Sequence, residues 1–332
     1  MIYGTTTEQS ALTAKRSSDV VERLSKMRDV LKVQDAITRA ARKSLEKQGF
    51  LEIIPPVISP ATDPGLRGAK RFDIDFYGKH YKLTGSMIMH KIIGASALGK
   101  VYAFSPCLRR EKPEKAKTGR HLVEFWQIDV EMPGSKEESM EVAEQLLFDV
   151  IKEIKQTRAE ELDRIGSELA VPTLPLKRIT HDEAVKMARE LGFEASEEEE
   201  IPHEAERAIS IEVGEPFFIV DYPRGSRGFY DKIDTQDSKK LLSFDLIYPH
   251  GFGEALSGSE REYDAELVKK KLAEGGEDPA AYSWFTGLLE QKKIKATAGF
   301  GFGLERMTRY VCGLESVEQA TPFPKMPGGD GI

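Results

Sequence analysis

The sequence predicts an α+β fold built around a large antiparallel sheet. The predicted strands come in hairpin-like pairs, joined by a tight turn or by a charged loop, and the helices stand between groups of strands. Strands and helices therefore do not alternate regularly, which disfavours a doubly wound parallel sheet. The length of 332 residues is enough for one large domain or two ordinary ones.

The elements of the N-terminal part follow from apolar spacing and from turn residues. Residues 1–18 are polar and are expected to form a loosely ordered extension. Apolar residues recur every three to four positions through 19–48, which predicts a helix that ends at Gly49. The two prolines of "FLEIIPPVIS" favour an extended segment. A hairpin with its turn at Gly78 and Lys79 follows, and then a short helix in "SMIMHKIIGASAL".

The remaining elements continue the mixed order. They are a strand in "KVYAFSPCLRRE", a charged mobile loop in "KPEKAKTG", a returning strand in "RHLVEFWQIDVEM", an amphipathic helix over 136–164, a strand in "PFFIVDYP", a strand–turn–strand unit in "LLSFDLIYPHGFGEALSGSERE", mainly helix over 263–293, and a strand leading into a helix in "ATAGFGFGLERMTRYVCGL". Residues 165–213 are expected to be peripheral, and "EASEEEEIP" within them is expected to be a solvated acidic loop.

The composition limits the class of protein. The chain has 48 Lys and Arg residues against 55 Asp and Glu residues, and the resulting charge of −7 argues against a broad nucleic-acid footprint. No run approaches the roughly 18 apolar residues of a membrane span. The N-terminus has no apolar signal core, and Cys107 and Cys312 are too few for a disulfide framework. We therefore expect a cytoplasmic protein without a membrane partner.

The strand pair around the charged loop concentrates polar groups on one face. Because strand side chains alternate, Arg109 and Glu111 share a face of the outgoing strand. The returning strand presents Phe125, Gln127, Asp129 and Glu131 together. A nucleotide site is one interpretation, since arginine binds phosphate and an aromatic ring stacks on a base. An edge hairpin with cross-strand ion pairs is the other interpretation.

A second pattern lies near the C-terminus. Gly299, Gly301 and Gly303 alternate, so one face of the predicted strand has no side chains and a ligand can approach the backbone. Arg306 follows in the first turn of the next helix. Taken alone, this pattern is weak evidence for a ligand site and is more typical of a strand packed against a helix.

These stretches together resemble the class II aminoacyl-tRNA synthetases, and the aspartyl/asparaginyl subgroup in particular. "LRRE" followed by "RHLVEFWQIDVEM" is similar to motif 2, "GFGLERMTRYVCGLESVEQATPFPKMPG" to motif 3, and "GFLEIIPPVIS", with Pro56 at the motif's proline, to motif 1. The resemblance covers about residues 30–328. It implies an antiparallel sheet flanked by helices in a single catalytic domain over 19–332, and a homodimer, because motif 1 builds a two-fold interface in this class.

The resemblance implies an ATP site at the matching positions. The implied contacts are Arg109 with the α-phosphate, Glu111 and Phe125 with adenine, Arg120 and His121 with the outer phosphates, and Arg306 with adenine or the γ-phosphate. Asp245 and Glu254 match carboxylates that bind Mg²⁺, a cation that prefers hard oxygen ligands. Asp245 is alternatively a strand-edge acid without a ligand.

The amino-acid pocket implied by the resemblance favours aspartate. Lys91 and Arg261 match the two cations that bind the side chain of the substrate, and Asp129 would hold Lys91 in place. Two cations at one point prefer a carboxylate to an amide. The resemblance adds Gln127 and Ser257 to the substrate pocket, and Asp63 as a partner for an ammonium group. The alternative for Lys91 is that it caps its short helix and reaches solvent.

Two departures from the subgroup change the expected reaction. A glutamine that helps to hold the amino group is replaced near Ile88, and the roughly 30 residues before the catalytic core leave no room for an anticodon-binding β-barrel, so tRNA is an unlikely partner. "LTGSMIMHK", "GFGEALSGSERE" and "PFPKMPG" are similar to archaeal-type asparagine synthetases related to these enzymes. That resemblance implies aspartate bound end for end, β-aspartyl-adenylate formation, and attack by ammonia.

Three alternatives to asparagine synthesis remain open. The chain is alternatively an adenylating ligase for another carboxylate or amine, or a paralogue that keeps the fold without chemistry. The third alternative is aminoacylation of tRNA with a partner that supplies the anticodon grip.

Overall fold

A computed structural model describes residues 19–63 and 69–329 of the chain. Its strands are β1 (Leu51–Glu52), β2 (Ile58–Ser59), β3 (Asp73–Phe76), β4 (Lys79–Leu83), β5 (Val101–Leu108), β6 (Glu124–Pro133), β7 (Lys177–Thr180), β8 (Phe217–Val220), β9 (Ser243–Tyr248), β10 (Gly253–Glu260) and β11 (Thr297–Gly303). Residues 19–26 are helical, and a turn at Met27 separates them from the α-helices α1 (Arg28–Lys47), α2 (Ile88–Leu98), α3 (Lys136–Thr157), α4 (Ala159–Ile165), α5 (His181–Glu190), α6 (His203–Val213), α7 (Ala265–Glu274), α8 (Ser283–Glu290) and α9 (Leu304–Cys312).

The main sheet has eight strands in the order β1-β5-β6-β11-β10-β9-β8-β7. Only the outer pairs, β1 with β5 and β7 with β8, are parallel, and all other neighbours are antiparallel. Strands β2, β4 and β3 form a small second sheet. The predicted α+β class with a large, mostly antiparallel sheet flanked by helices is therefore confirmed.

The two faces of the main sheet have different surroundings, because the side chains of each strand point alternately to one face and to the other. One face packs under α1, α3 and α9, and the buried cluster there includes Ile37, Leu147, Ile128, Val130 and Phe300. Burial of each apolar side chain of this size stabilises the folded state by about 1.5–3 kcal/mol relative to leaving it in water. Gln127, Asp129 and Glu131 alternate with the core residues of β6 and lie on the opposite face, which carries the cavity described below.

Several local predictions differ from the structure. The helix expected over 136–164 is interrupted at Arg158, which separates α3 from α4. The loop expected in "KPEKAKTG" is a 3₁₀ helix, Pro113–Thr118, with proline at its first turn and Gly119 in the left-handed conformation at its end. The hairpin turn lies at Tyr77 and Gly78, one residue earlier than expected, and both have positive φ, as a type I′ turn requires.

The segment over residues 165–213 is part of the main fold. It contributes the edge strand β7 and the helices α5 and α6, which pack in a buried cluster with β8 and β9. The description of this segment as peripheral is therefore wrong for these elements. The expected N-terminal extension, 1–18, and residues 64–68 lie outside the described residues. Across 19–63 and 69–329, no helix has the length and apolar character that crossing a membrane requires.

Candidate active site

A cavity of about 560 Å³ lies on the polar face of the main sheet. Strands β6, β11 and β10 form its floor, and α2, α6 and the loop between β8 and β9 form its walls. The structure brings together all the site residues expected from the sequence except Asp245: Asp63, Lys91, Arg109, Glu111, Arg120, His121, Phe125, Gln127, Asp129, Glu254, Ser257, Arg261 and Arg306.

The pairing of β5 with β6 explains how the nucleotide candidates meet. Cys107 lies opposite Phe125, and Ser105 lies opposite Gln127, so the polar faces of both strands coincide as expected. The Nε of Arg109 donates to the carbonyl of Gly85 at 3.1 Å, and its guanidinium lies 5.1 Å from the centre of the Phe125 ring. The arrangement places a cation and an aromatic ring at one wall of the cavity.

The alternating glycines have two different uses. Gly301 and Gly303 line the cavity, as the prediction of close ligand approach requires. Gly299 does not line the cavity, because the side chain of Glu131 lies directly over it. A Cβ atom at Gly299 would be only 2.2 Å from Oε2 of Glu131. The space above Gly299 is therefore filled by a carboxylate of the protein itself, and the prediction is wrong at this position.

A buried ionic cluster forms the inner end of the cavity. Nζ of Lys91 donates to Oδ1 of Asp129 at 2.8 Å and to the carbonyl of Phe300 at 2.8 Å. Arg261 donates to Glu131 from Nε at 3.0 Å and from Nη2 at 3.0 Å. Lys91 is 3% exposed, so the alternative in which it reaches solvent is wrong.

The charges of this inner cluster are nearly balanced. Glu131 lies between the two cations, since its Oε2 is also 3.8 Å from Nζ of Lys91. Asp231 adds a third carboxylate, which is 3.5 Å from Arg261 and accepts a hydrogen bond from Ser259. Burial raises the pKa of Asp231, although Arg261 opposes this. The inner end thus presents groups of both signs instead of two free cations.

The loop between β8 and β9 contributes residues that the sequence analysis missed. Arg227, Tyr230 and Asp231 line the cavity, and the Tyr230 hydroxyl donates to Oδ1 of Asp63 at 3.1 Å. In the sequence, a cation, aromatic residues and an acid lie close together in "SRGFYD", and this cluster could have indicated a binding site. The stretch has no strand or helix period, which is why pattern analysis passed over it.

The two expected metal ligands are both engaged by arginines. Asp245 is 2% exposed and accepts from Arg227 at 3.0 and 2.8 Å, while Glu254 Oε1 accepts from Arg306 at 3.1 Å. Across 19–63 and 69–329, no group of three or more His, Cys, Asp or Glu residues has the arrangement of a metal site. The residues as placed do not fit a resident Mg²⁺.

The outer end of the cavity holds two arginines with nearby histidines and carboxylates. Burial, with Arg306 and Lys115 nearby, lowers the pKa of His121 to about 3. The ring of His121 is therefore neutral at pH 7 in the site without nucleotide. Glu200, His203 and Glu206 also line the cavity, although the sequence analysis placed them in a peripheral segment. Burial raises the pKa of Glu206 to about 7, against the effect of Arg120.

Comparison with known proteins identifies similar chains. The family model for class II tRNA synthetases (D, K and N) matches residues 8–327. The asparagine–tRNA ligase of Desulforamulus reducens is 32% identical over 303 residues, which cover 90% of this chain and 69% of the relative.

Two solved structures have similar folds. The asparaginyl-tRNA synthetase of Pyrococcus horikoshii, complexed with asparaginyl-adenylate, is 29% identical with a TM-score of 0.84, over 91% of this chain and 69% of that one. The asparaginyl-tRNA synthetase of Entamoeba histolytica, also with asparaginyl-adenylate, is 25% identical with a TM-score of 0.81, over 90% and 67% of the two chains.

Proposed function

The chain belongs to the class II tRNA synthetases of the D, K and N group, and from this premise we propose that its cavity joins a carboxylic acid to AMP from ATP. One observation carries the proposal: Arg109 and Arg306, from the regions similar to motifs 2 and 3, line the same cavity as the ionic cluster around Lys91 and Arg261. A nucleotide and a charged small substrate would thus meet within one enclosed space.

The proposed reaction depends mainly on position and charge. A carboxylate oxygen of the substrate attacks the α-phosphorus of ATP, a P–O bond forms, and pyrophosphate leaves. Arg109 is proposed to stabilise the charge that develops on the α-phosphate, since such transfers need charge stabilisation more than covalent chemistry. Glu111 and Phe125 are proposed to bind adenine, and Arg120, His121 and Arg306 the outer phosphates or the second adenine face.

We propose aspartate as the carboxylic acid and ammonia as the acceptor. The inner cluster, with Lys91 and Arg261 beside Asp129 and Glu131, suits the ammonium and α-carboxylate of an amino acid, because that head group carries both signs. Gln127, Ser257 and Asp63 would complete the pocket. Aspartate bound in this direction points its β-carboxylate toward the nucleotide. Ammonia then forms a C–N bond at the β-carbonyl, loses a proton, and displaces AMP to give asparagine.

The remaining expectations are part of the same proposal. ATP is the proposed cofactor. Mg²⁺ stays a prediction, and it would bind Asp245 and Glu254 only if these carboxylates left the arginines that they contact in this structure. A homodimer is supported by exposed apolar side chains in the motif 1 region, including Leu51, Ile54 and Val57. The cytoplasmic location also stays a prediction.

Transfer of asparagine to tRNA is the second candidate function. It is favoured by the relatives described above, which are named as asparagine–tRNA ligases and asparaginyl-tRNA synthetases. In that case the carboxylate that reacts is the α-carboxylate of asparagine, and the acceptor is a tRNA hydroxyl.

One set of reactions separates the two candidates. Purified protein is incubated with Mg-ATP and aspartate, with and without ammonium, and in parallel with Mg-ATP, asparagine and tRNA. Asparagine and AMP that appear only with aspartate and ammonium would support the first proposal. Asparaginyl-tRNA would support the second. Pyrophosphate exchange that depends on aspartate, without formation of asparagine, would support adenylation of aspartate and show that the acceptor is not ammonia.

A further inference from the structure

Helix α6 borders the outer end of the cavity and contacts Arg120 with two of its side chains. His203 and Glu206 are three residues apart, so they project from the same face of the helix. We propose that Glu206 is a positioning residue that holds the guanidinium of Arg120 in place for the outer phosphates of ATP. This inference rests on the proposed use of ATP and names a residue that the family resemblance did not supply.

The contacts hold the guanidinium on two sides. Oε1 of Glu206 lies 3.6 Å from Nη2 of Arg120, and the two side chains are 13% and 12% exposed. The ring of His203 contacts Nη1 of the same guanidinium, with Nε2 at 3.3 Å. One helix therefore supplies contacts to both terminal nitrogens.

The backbone under Arg120 completes the arrangement. A Cβ atom at Gly253 would lie 3.1 Å from Cζ and 3.1 Å from Nη2 of Arg120. Gly253 has φ +77, where a side chain is disfavoured in any case. The guanidinium is thus held between α6 and the first residue of β10. Since a free arginine has many rotamers, this confinement reduces the entropy that phosphate binding would otherwise cost.

Several arginines lie at the outer end of the cavity, and a carboxylate among them reduces their mutual repulsion. Arg120 and Arg306 line the cavity, and Arg207 and Arg309 lie nearby. Burial first, and then the three other arginines, lower the pKa of Arg309 to about 10. Glu254 contacts Arg306 at 3.1 Å, and Glu206 has the equivalent position beside Arg120. Arg120 and Arg306 thus each have a carboxylate beside them.

His203 is suited to support Glu206. Burial, with Arg120 nearby, lowers the pKa of His203 to about 4, so its ring is neutral near pH 7. A neutral ring offers a nitrogen lone pair to Nη1 of Arg120. Glu206 is then the acidic group on α6 at this contact, although burial raises its pKa to about 7, so it is only partly ionised near pH 7.

Calorimetric binding of α,β-methylene-ATP, a non-reacting ATP analogue, to the full chain tests the inference. The variants are Glu206→Gln, Arg120→Met and the double variant, with Glu212→Gln at an exposed position on the same helix as the matched control. We expect Glu206→Gln to weaken nucleotide binding by about tenfold and Arg120→Met by at least as much. We expect the double variant to bind as Arg120→Met does, because Glu206 acts through Arg120.

A role in stability alone is distinguished by two further readouts. We expect Glu206→Gln to raise the KM for ATP in pyrophosphate exchange while the KM for the amino acid stays within twofold of wild type. Unchanged nucleotide binding in Glu206→Gln would overturn the inference. So would a dissociation constant of the double variant raised by the product of the two single-variant factors. Wild-type protein that binds the analogue but exchanges no pyrophosphate with aspartate would overturn only the proposed substrate. Absence of analogue binding by wild type would overturn the ATP site and this inference together.

Discussion

Arg227 donates hydrogen bonds to both carboxylate oxygens of Asp245, from Nη1 at 3.0 Å and from Nη2 at 2.8 Å. The side chains are 4% and 3% exposed, and the guanidinium also lies 3.8 Å from the centre of the Tyr222 ring. Arg227 also has a second carboxylate partner, because its Nε lies 3.1 Å from Oε1 of Glu200. Removal of Asp245 would therefore leave this buried charge only partly compensated. The resemblance gave Asp245 a different role, that of a metal ligand, and the two roles predict different behaviour.

Asp245→Asn is expected to lower the free energy of unfolding by about 1–3 kcal/mol in metal-free buffer, because Arg227 loses its bidentate partner and keeps only Glu200. Urea unfolding in the presence of a chelator measures this. Asp163→Asn, at an exposed position on α4, is the control and should leave stability within about 0.5 kcal/mol of wild type. Unchanged stability together with loss of Mg²⁺-dependent nucleotide binding would contradict the structural role and support the metal-ligand role.

Local patterns predicted the parts of the site that neighbouring strands create. Strands β5 and β6 are consecutive in the chain, so their alternation and pairing place Arg109 and Phe125 on one face without any knowledge of the rest of the fold. The polar faces of the two strands therefore coincide as expected. The contact between Lys91 and Asp129, which the family resemblance implied, is also present.

Contacts that depend on long-range packing were not predictable in this way. His203 meets Arg120 across 83 residues of sequence, and no periodic pattern links a helix to a distant loop. Glu131 was placed on the correct face, but its pairing with Arg261 depends on β6 and β10 lying on either side of β11, an order that the pattern of a single strand does not reveal. For the same reason the acidic composition of 165–213 predicts a peripheral segment, although Glu206 lines the cavity.

Lys91→Met is expected to weaken both the fold and the binding of the amino acid. Asp129, 2% exposed, would lose its charged partner, and a loss of about 3–5 kcal/mol in the free energy of unfolding is expected. The KM for aspartate should rise about tenfold or more, while binding of an ATP analogue should change by less than about twofold. Urea unfolding and calorimetry measure these effects. Lys293→Met, at an exposed position, is the control. A selective loss of ATP binding would show that Lys91 belongs to the nucleotide end.

His121 is expected to make stability depend on pH on the acidic side. Its pKa is about 3 in the fold, below its ordinary value of 6.5, so the unfolded chain binds more protons between these values. Its contribution to stability therefore increases as pH rises from about 3 to 6.5 and is constant above that range. His121→Asn should flatten this part of the curve of unfolding free energy against pH. The exposed His80→Asn is the control, and equal slopes in the two variants would contradict the prediction.

The motif 1 region predicts a two-fold interface that one substitution should disrupt. Ile54 is 96% exposed, and Leu51, Val57 and Ile58 beside it are also exposed, which is an unusual concentration of apolar surface for a face left in water. Ile54→Glu would place a charge on each copy at a self-complementary contact, where desolvation and like-charge repulsion both oppose association. Analytical ultracentrifugation should show a dimer for wild type and a dissociation constant raised at least about a hundredfold for the variant. Ile211→Glu, an exposed apolar position on α6, should leave the dimer intact. A wild-type monomer at micromolar concentration, or a dimer unaffected by Ile54→Glu, would show that another surface or no surface carries association, and would separate the role of this region from the catalytic proposal.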